Sequence, residues 1–136
     1  MNTDNFYAAM ADSVRRRLLA LLISEDEVCV CELVGALVLP QPKVSRHLGL
    51  LRDAGIVSVR RVGTWIFYRL SPRMPLWAYK TIELMVQGET GNAVFEDDAD
   101  RLGHRPVRYA EINLTERKEK CEPCRSAEVA VESTTH

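Results

Sequence analysis

The apolar pattern changes period at Gly55, and few folds accommodate that change. Before it, Val44, Leu48 and Leu51 step by four and three residues, a helical stripe that opens just after Pro40 and Pro42 and closes at Gly55. After it, Val57 and Val59 alternate with Ser58 and Arg60, and Val62-Gly63-Thr64 carries turn chemistry. Trp65 to Leu70 is then aromatic and β-branched, which predicts a β-hairpin. Upstream, Asp12 is a candidate N-cap for a helix whose Val14, Leu18, Leu21 and Leu22 share a face. The acidic trio Glu25, Asp26 and Glu27 marks a boundary and suits the start of a shorter helix over Val28 to Leu37. Two short helices joined by a tight turn and followed directly by a hairpin make a winged helix-turn-helix, mainly α with a small β-hairpin.

The remaining segments are read around that unit. Phe6, Tyr7 and Met10 form a short apolar stripe ahead of the Asp12 cap. Pro72 and Pro75 end the hairpin, and Leu76, Trp77, Tyr79, Ile82, Leu84 and Met85 build a helix as far as Gly88 that is too apolar to be left solvated. Phe6, Tyr7, Met10, Trp77, Ile82 and Met85 are therefore expected to form a dimerisation layer, making the protein a homodimer. This defines residues 1–88 as a DNA-binding and dimerisation domain and residues 89–136 as an acidic, partly disordered extension with Glu96, Asp97, Asp98 and Asp100. One short helix is expected around Ala93 to Leu102, and a mobile end from Glu116 to His136. The longest aliphatic run, Leu18 to Ile23, is far too short to span a bilayer, and the N-terminus has no secretory pattern, so the expected location is the cytoplasm.

Charge adds a partner. Lys and Arg number 18 against 19 Asp and Glu, which excludes a polybasic tail. Yet Pro40 to Leu70 holds Lys43, Arg46, Arg52, Arg60, Arg61 and Arg69 against the single acid Asp53. A basic helix-turn-helix and wing points to double-stranded DNA. Gln41, Lys43, Ser45 and Arg46 open the second helix and are expected to enter the major groove. His47 is expected to pack or to touch a phosphate, and Arg60 and Arg61, near the hairpin tip, to reach flanking phosphates or a minor groove.

The four cysteines are spaced as Cys29-x-Cys31 and Cys121-x-x-Cys124. In a reducing compartment they are a poor disulfide framework and a better soft-ion or redox site. A thiol oxidoreductase is disfavoured because the charged run Glu116 to Lys120 supplies no strand before Cys121, so no enzyme is expected. Residues two apart on a regular helix are rotated by about 200°, so Cys29 and Cys31 are expected to share an ion only by distorting the helix over Val28 to Leu37. That distortion would swing Lys43 and Arg46 out of the groove.

The runs Val28-Cys29-Val30-Cys31-Glu32-Leu33, Gln41-Pro42-Lys43-Val44-Ser45-Arg46-His47-Leu48, Leu50-Leu51-Arg52-Asp53-Ala54-Gly55 and Tyr68-Arg69-Leu70-Ser71-Pro72 together resemble the arsenical-responsive repressors of the ArsR/SmtB family. The resemblance covers roughly Asp12 to Met85. It implies a homodimeric winged helix-turn-helix that binds operator DNA of arsenic-resistance genes and releases it on binding arsenite or antimonite, with Cys29 and Cys31 matching the family's ligands. The family's closest pattern has a further cysteine where this chain has Val34. Either water or hydroxide fills the third position, or Cys121 or Cys124 completes a three-sulfur site. A repressor of the same fold that senses zinc, cadmium or thiol oxidation is the alternative.

Overall fold

The computed structural model describes residues 1–105 and residue 109. Six helices and three strands follow one another as α1 (Thr3–Met10), α2 (Ser13–Ser24), β1 (Val28–Cys29), α3 (Val30–Leu37), α4 (Gln41–Asp53), β2 (Val57–Val62), β3 (Trp65–Leu70), α5 (Leu76–Gly88) and α6 (Ala93–Gly103). The expected mobile end, 116–136, and with it Cys121 and Cys124, lies outside the described residues.

Local chemistry sets most of these boundaries. The Asp12 carboxylate accepts from the Val14 and Arg15 N–H groups at 2.8 and 3.2 Å, which starts α2. Pro40 and Pro42 frame the first turn of α4, where a missing N–H costs nothing. Gly55 then takes φ 79° and ends the helix. The hairpin turns at Gly63, φ 61°, with Val62 opposite Trp65 and Val57 opposite Leu70.

One element departs from the sequence reading. Val28 and Cys29 do not begin the helix; they form a two-residue strand antiparallel to β3, with Val28 opposite Tyr68 and Cys29 opposite Phe67, in a sheet of order β1-β3-β2. Cys29 is the N-cap of α3, with extended dihedrals of φ −68° and ψ 144°, and the helix starts at Val30.

The core lies between the helices and the inner face of this sheet, where Phe6, Leu18, Leu22, Leu33, Leu48 and Phe67 are fully buried. Phe6, Met10 and Ile82 belong to that core, so they are not available as a dimer surface. Of the six expected dimer residues, Tyr7 and Trp77 are exposed, and Met85 is half-buried. Helix α5 buries only Ala78 and Ile82 and exposes Leu76, Trp77, Tyr79 and Leu84. Helix α6, beyond the expected boundary at residue 88, packs against α2 and α3 and buries Leu102 and Asp98. No helix among the described residues is long and apolar enough to cross a membrane.

Candidate nucleic-acid interface and thiol site

Helix α4 presents one edge. Lys43 and Arg46 are exposed and Gln41 half-exposed on its first turns, while Val44, Leu48 and Leu51 face the core. Two expected contacts turn inward. Ser45 is buried and accepts from the Gln41 amide at 2.5 Å. His47 is buried with Nδ1 3.2 Å from the Arg15 guanidinium and 3.9 Å from the Asp12 carboxylate. Burial lowers the His47 pKa, Asp12 opposes that, and the cations Arg15, Arg46 and Lys43 lower it further. A neutral His47 accepts from Arg15 and fastens α4 to the start of α2; it does not reach out to a phosphate.

The wing divides its arginines in the same way. Arg61 is exposed. Arg60 instead donates twice to the Glu27 carboxylate, at 2.9 and 2.5 Å, and its guanidinium lies 5.2 Å from the centre of the Phe67 ring. Glu27 raises the Arg60 pKa through that bond. Arg60 therefore ties the hairpin to the residue just before β1. Arg69, opposite Ser58, is exposed on β3 on the sheet face shared with Arg60, the face opposite to that of Arg61.

The thiol pair is assembled where strand passes into helix. Cys29 is fully buried, Cys31 is half-buried in the first turn of α3, and their sulfurs are 3.1 Å apart. The expectation that the two thiols stand far around a helix fails, because Cys29 is extended and only Cys31 is helical; no turn has to open for both to reach one atom. Glu32 fixes this junction. Its carboxylate accepts from the Cys29 N–H at 2.9 Å, the return arm of a capping box in which cysteine stands where serine or threonine is usual. Burial pushes the Glu32 carboxyl up, opposed by the Cys29 N–H, Arg105 and the Tyr109 N–H. The Cys29-x-x-Glu32 spacing carried that signal in the sequence; the Arg105 partner, 73 positions on, had none.

Sulfurs 3.1 Å apart stand close enough for both to bond one soft ion. Among the described residues no group of three or more His, Cys, Asp or Glu converges as a metal site.

A helix-turn-helix with a basic exposed edge, flanked by a hairpin wing, defines a DNA-binding regulator. The chain belongs to the ArsR family: the family described as "Bacterial regulatory protein, arsR family" matches residues 12–59. The chain is similar to the arsenic resistance transcriptional regulator ArsR1 of Pseudomonas putida, 44% identical over 105 residues that cover 74% of this chain and 79% of the relative. It is also similar to the arsenical resistance operon repressor of Escherichia coli, 47% identical over 77 residues that cover 57% and 66% respectively. Among solved structures, HlyU from Vibrio cholerae superposes with a TM-score of 0.59 at 32% identity, covering 65% of this chain and 91% of that one. The transcriptional repressor BigR from Xylella fastidiosa superposes with a TM-score of 0.57 at 30% identity, covering 67% and 86%. The relatives from P. putida and E. coli and the BigR structure carry the names of transcriptional regulators and repressors, and the protein is a transcriptional repressor of this family, not an enzyme.

Proposed function

We propose that the protein is a metalloid-responsive repressor that binds operator DNA of arsenic-resistance genes as a homodimer in the cytoplasm and leaves it when Cys29 and Cys31 bind arsenite or antimonite. The observation that carries this reading is the 3.1 Å separation of two sulfurs at the β1–α3 junction. Thiolates select soft, thiophilic ions, and two sulfurs this close can share one. The relatives from P. putida and E. coli, named for resistance to arsenic and arsenicals, point to the same signal. Two sulfurs form the core of the site, with water or hydroxide in the third position.

The junction also supplies a route to DNA. The Cys29 backbone pairs with Phe67 of β3, and Arg60 lies over the Phe67 ring, so the residue that grips the inducer is hydrogen-bonded into the wing. A ligand preferring one placement of β1 biases the wing, and operator DNA must weaken inducer binding by the same factor that inducer weakens DNA binding. For the dimer, the support is the row of exposed apolar side chains on α5, Leu76, Trp77, Tyr79 and Leu84, together with Tyr7 on α1. Lys43, Arg46 and Arg61 are the DNA contacts, with Gln41 at the start of α4.

Titration of a protein–operator complex with arsenite, antimonite, cadmium, zinc and peroxide tests the reading. Arsenite and antimonite are expected to release the DNA at the lowest doses. Release by zinc, cadmium or peroxide at a lower dose overturns the choice of signal.

A further inference from the structure

The chain that leaves α6 returns to the thiol site. Arg105 pairs with the buried Glu32 carboxylate, lies 3.4 Å from Glu25, and donates to the Leu102 carbonyl at 2.6 Å. Four residues later the Tyr109 N–H also donates to Glu32, and its ring lies 4.6 Å, centre to centre, from Trp65 at the start of β3. One carboxylate thus faces three groups: the Cys29 N–H, which donates to it, the Arg105 guanidinium, which forms an ion pair with it although the facing Nε and Oε2 make no hydrogen bond, and the backbone of Tyr109. A buried carboxylate keeps its position only while its charge is matched. Without Arg105, the Glu32 carboxylate loses its ion pair and turns toward water, which weakens its hold on the Cys29 N–H and, with it, the extended geometry that brings the Cys29 sulfur to Cys31.

We propose that Arg105, acting through Glu32, is a positioning residue of the thiol pair: the segment behind α6 fixes the Cys29 N-cap and so sets how tightly the two sulfurs close on one ion. The proposal rests on Cys29 and Cys31 being the inducer ligands. It places part of the sensor outside residues 12–59, the stretch that matches the family. Helix α6 becomes a working part of the sensor, since it carries Arg105 to the start of α3.

Phenylarsine oxide tests this, because it reads the closing of two thiols whether or not arsenite is the natural signal. Two As–S bonds form, the arsenic-bound oxygen leaves as water with the two thiol protons, and no oxidant is needed. The protein is the full chain with Cys121 and Cys124 changed to serine. Arg105→Gln is expected to weaken phenylarsine oxide binding tenfold or more, with the circular dichroism spectrum and the affinity for operator unchanged, and Arg105→Lys to recover most of the loss. In a Glu32→Gln background, which keeps an oxygen acceptor for the Cys29 N–H but no charge, Arg105→Gln is expected to add less than twofold. Wild-type affinity in Arg105→Gln, an affinity in Arg105→Lys no better than in Arg105→Gln, or an undiminished tenfold loss in the Glu32→Gln background, overturns the proposal. Failure of the functional reading looks different: phenylarsine oxide binds the pair tightly while arsenite leaves the wild-type operator complex intact.

Discussion

The two ends of α3, a helix of eight residues, are held in opposite ways. At the C-terminal end the carbonyls of Ala36 and Leu37, which a helix leaves without partners, accept from Arg101 at 2.6 Å and Arg17 at 3.1 Å. Both arginines also grip the buried Asp98 of α6, Arg17 with two bonds of 2.8 Å and Arg101 with one of 2.9 Å. Every charge there has a partner, and none of it faces a site. At the N-terminal end a single carboxylate, Glu32, organises the cap by accepting from the Cys29 N–H, beside the two sulfurs. The C-terminal end leads through one turn into α4, while the N-terminal end is stitched to β3. The helix and the hairpin proposed to contact DNA therefore hang from different ends of one helix, a clamped end and one proposed to respond to the inducer.

Breaking the clamp should cost most. Asp98→Ala leaves the Arg17 guanidinium without its carboxylate beside a helix end, and urea denaturation is expected to show a loss of about 3–5 kcal/mol. A loss under 1 kcal/mol would mean that the C-terminal end is not the anchored one. At the other end, Cys31→Ser removes a ligand but little packing, since Cys31 is half-buried. Arsenite is expected to need at least a hundredfold higher dose to release operator DNA, which corresponds to about 2.7 kcal/mol, with stability within about 0.5 kcal/mol of the wild type. An unchanged dose would move the inducer site elsewhere. Arg46→Ala, on the helix that hangs from the clamped end, is expected to weaken operator binding by about 1–3 kcal/mol. If α4 stays fixed while the wing responds, the ratio of affinities with and without arsenite changes by less than about twofold in that variant. Operator titrations at two arsenite concentrations measure the ratio, and its collapse would put the moving part in α4.

Much of this contrast was legible in the residues, and the rest was not for physical reasons. Asp12, Pro40, Pro42 and Gly55 act within a few positions of themselves, so the ends of α2 and α4 follow from local chemistry. The inward turn of His47 was also readable: it lies three after Val44 and four before Leu51, on the buried stripe, although its place in the basic helix suggested DNA. Phe6 and Met10, four apart, form such an inward stripe as well, which is why the protomer's core takes them. Strand β1 has only two residues and exists because Tyr68 and Phe67 supply its partners, so no periodicity could announce it. The pairs Arg60–Glu27, Arg17–Asp98 and Arg105–Glu32 join positions 33, 81 and 73 apart, and a formal charge count assigns every one of those arginines to the surface.

The smallest expected effect lies in the turn between the two helices. Val38 caps α3 with φ 53° and ψ 48°, a left-handed conformation in which a β-branched side chain crowds its own backbone at a cost of about 1–2 kcal/mol. Its side chain is 67% exposed, so burial returns little of that cost. The conformation persists because the Val38 N–H is bonded to the Val34 carbonyl at 3.0 Å and the clamp holds the residues just before it. Val38→Gly removes the crowding but adds freedom to the unfolded chain, which offsets about 0.5–1 kcal/mol. The net expectation is a gain of about 0.5–1 kcal/mol in urea denaturation. If the clamped end is passive, the arsenite dose that releases DNA stays within about twofold. A shifted dose would mean instead that strain held at this turn takes part in the switch, and the two ends of α3 would then both be responsive.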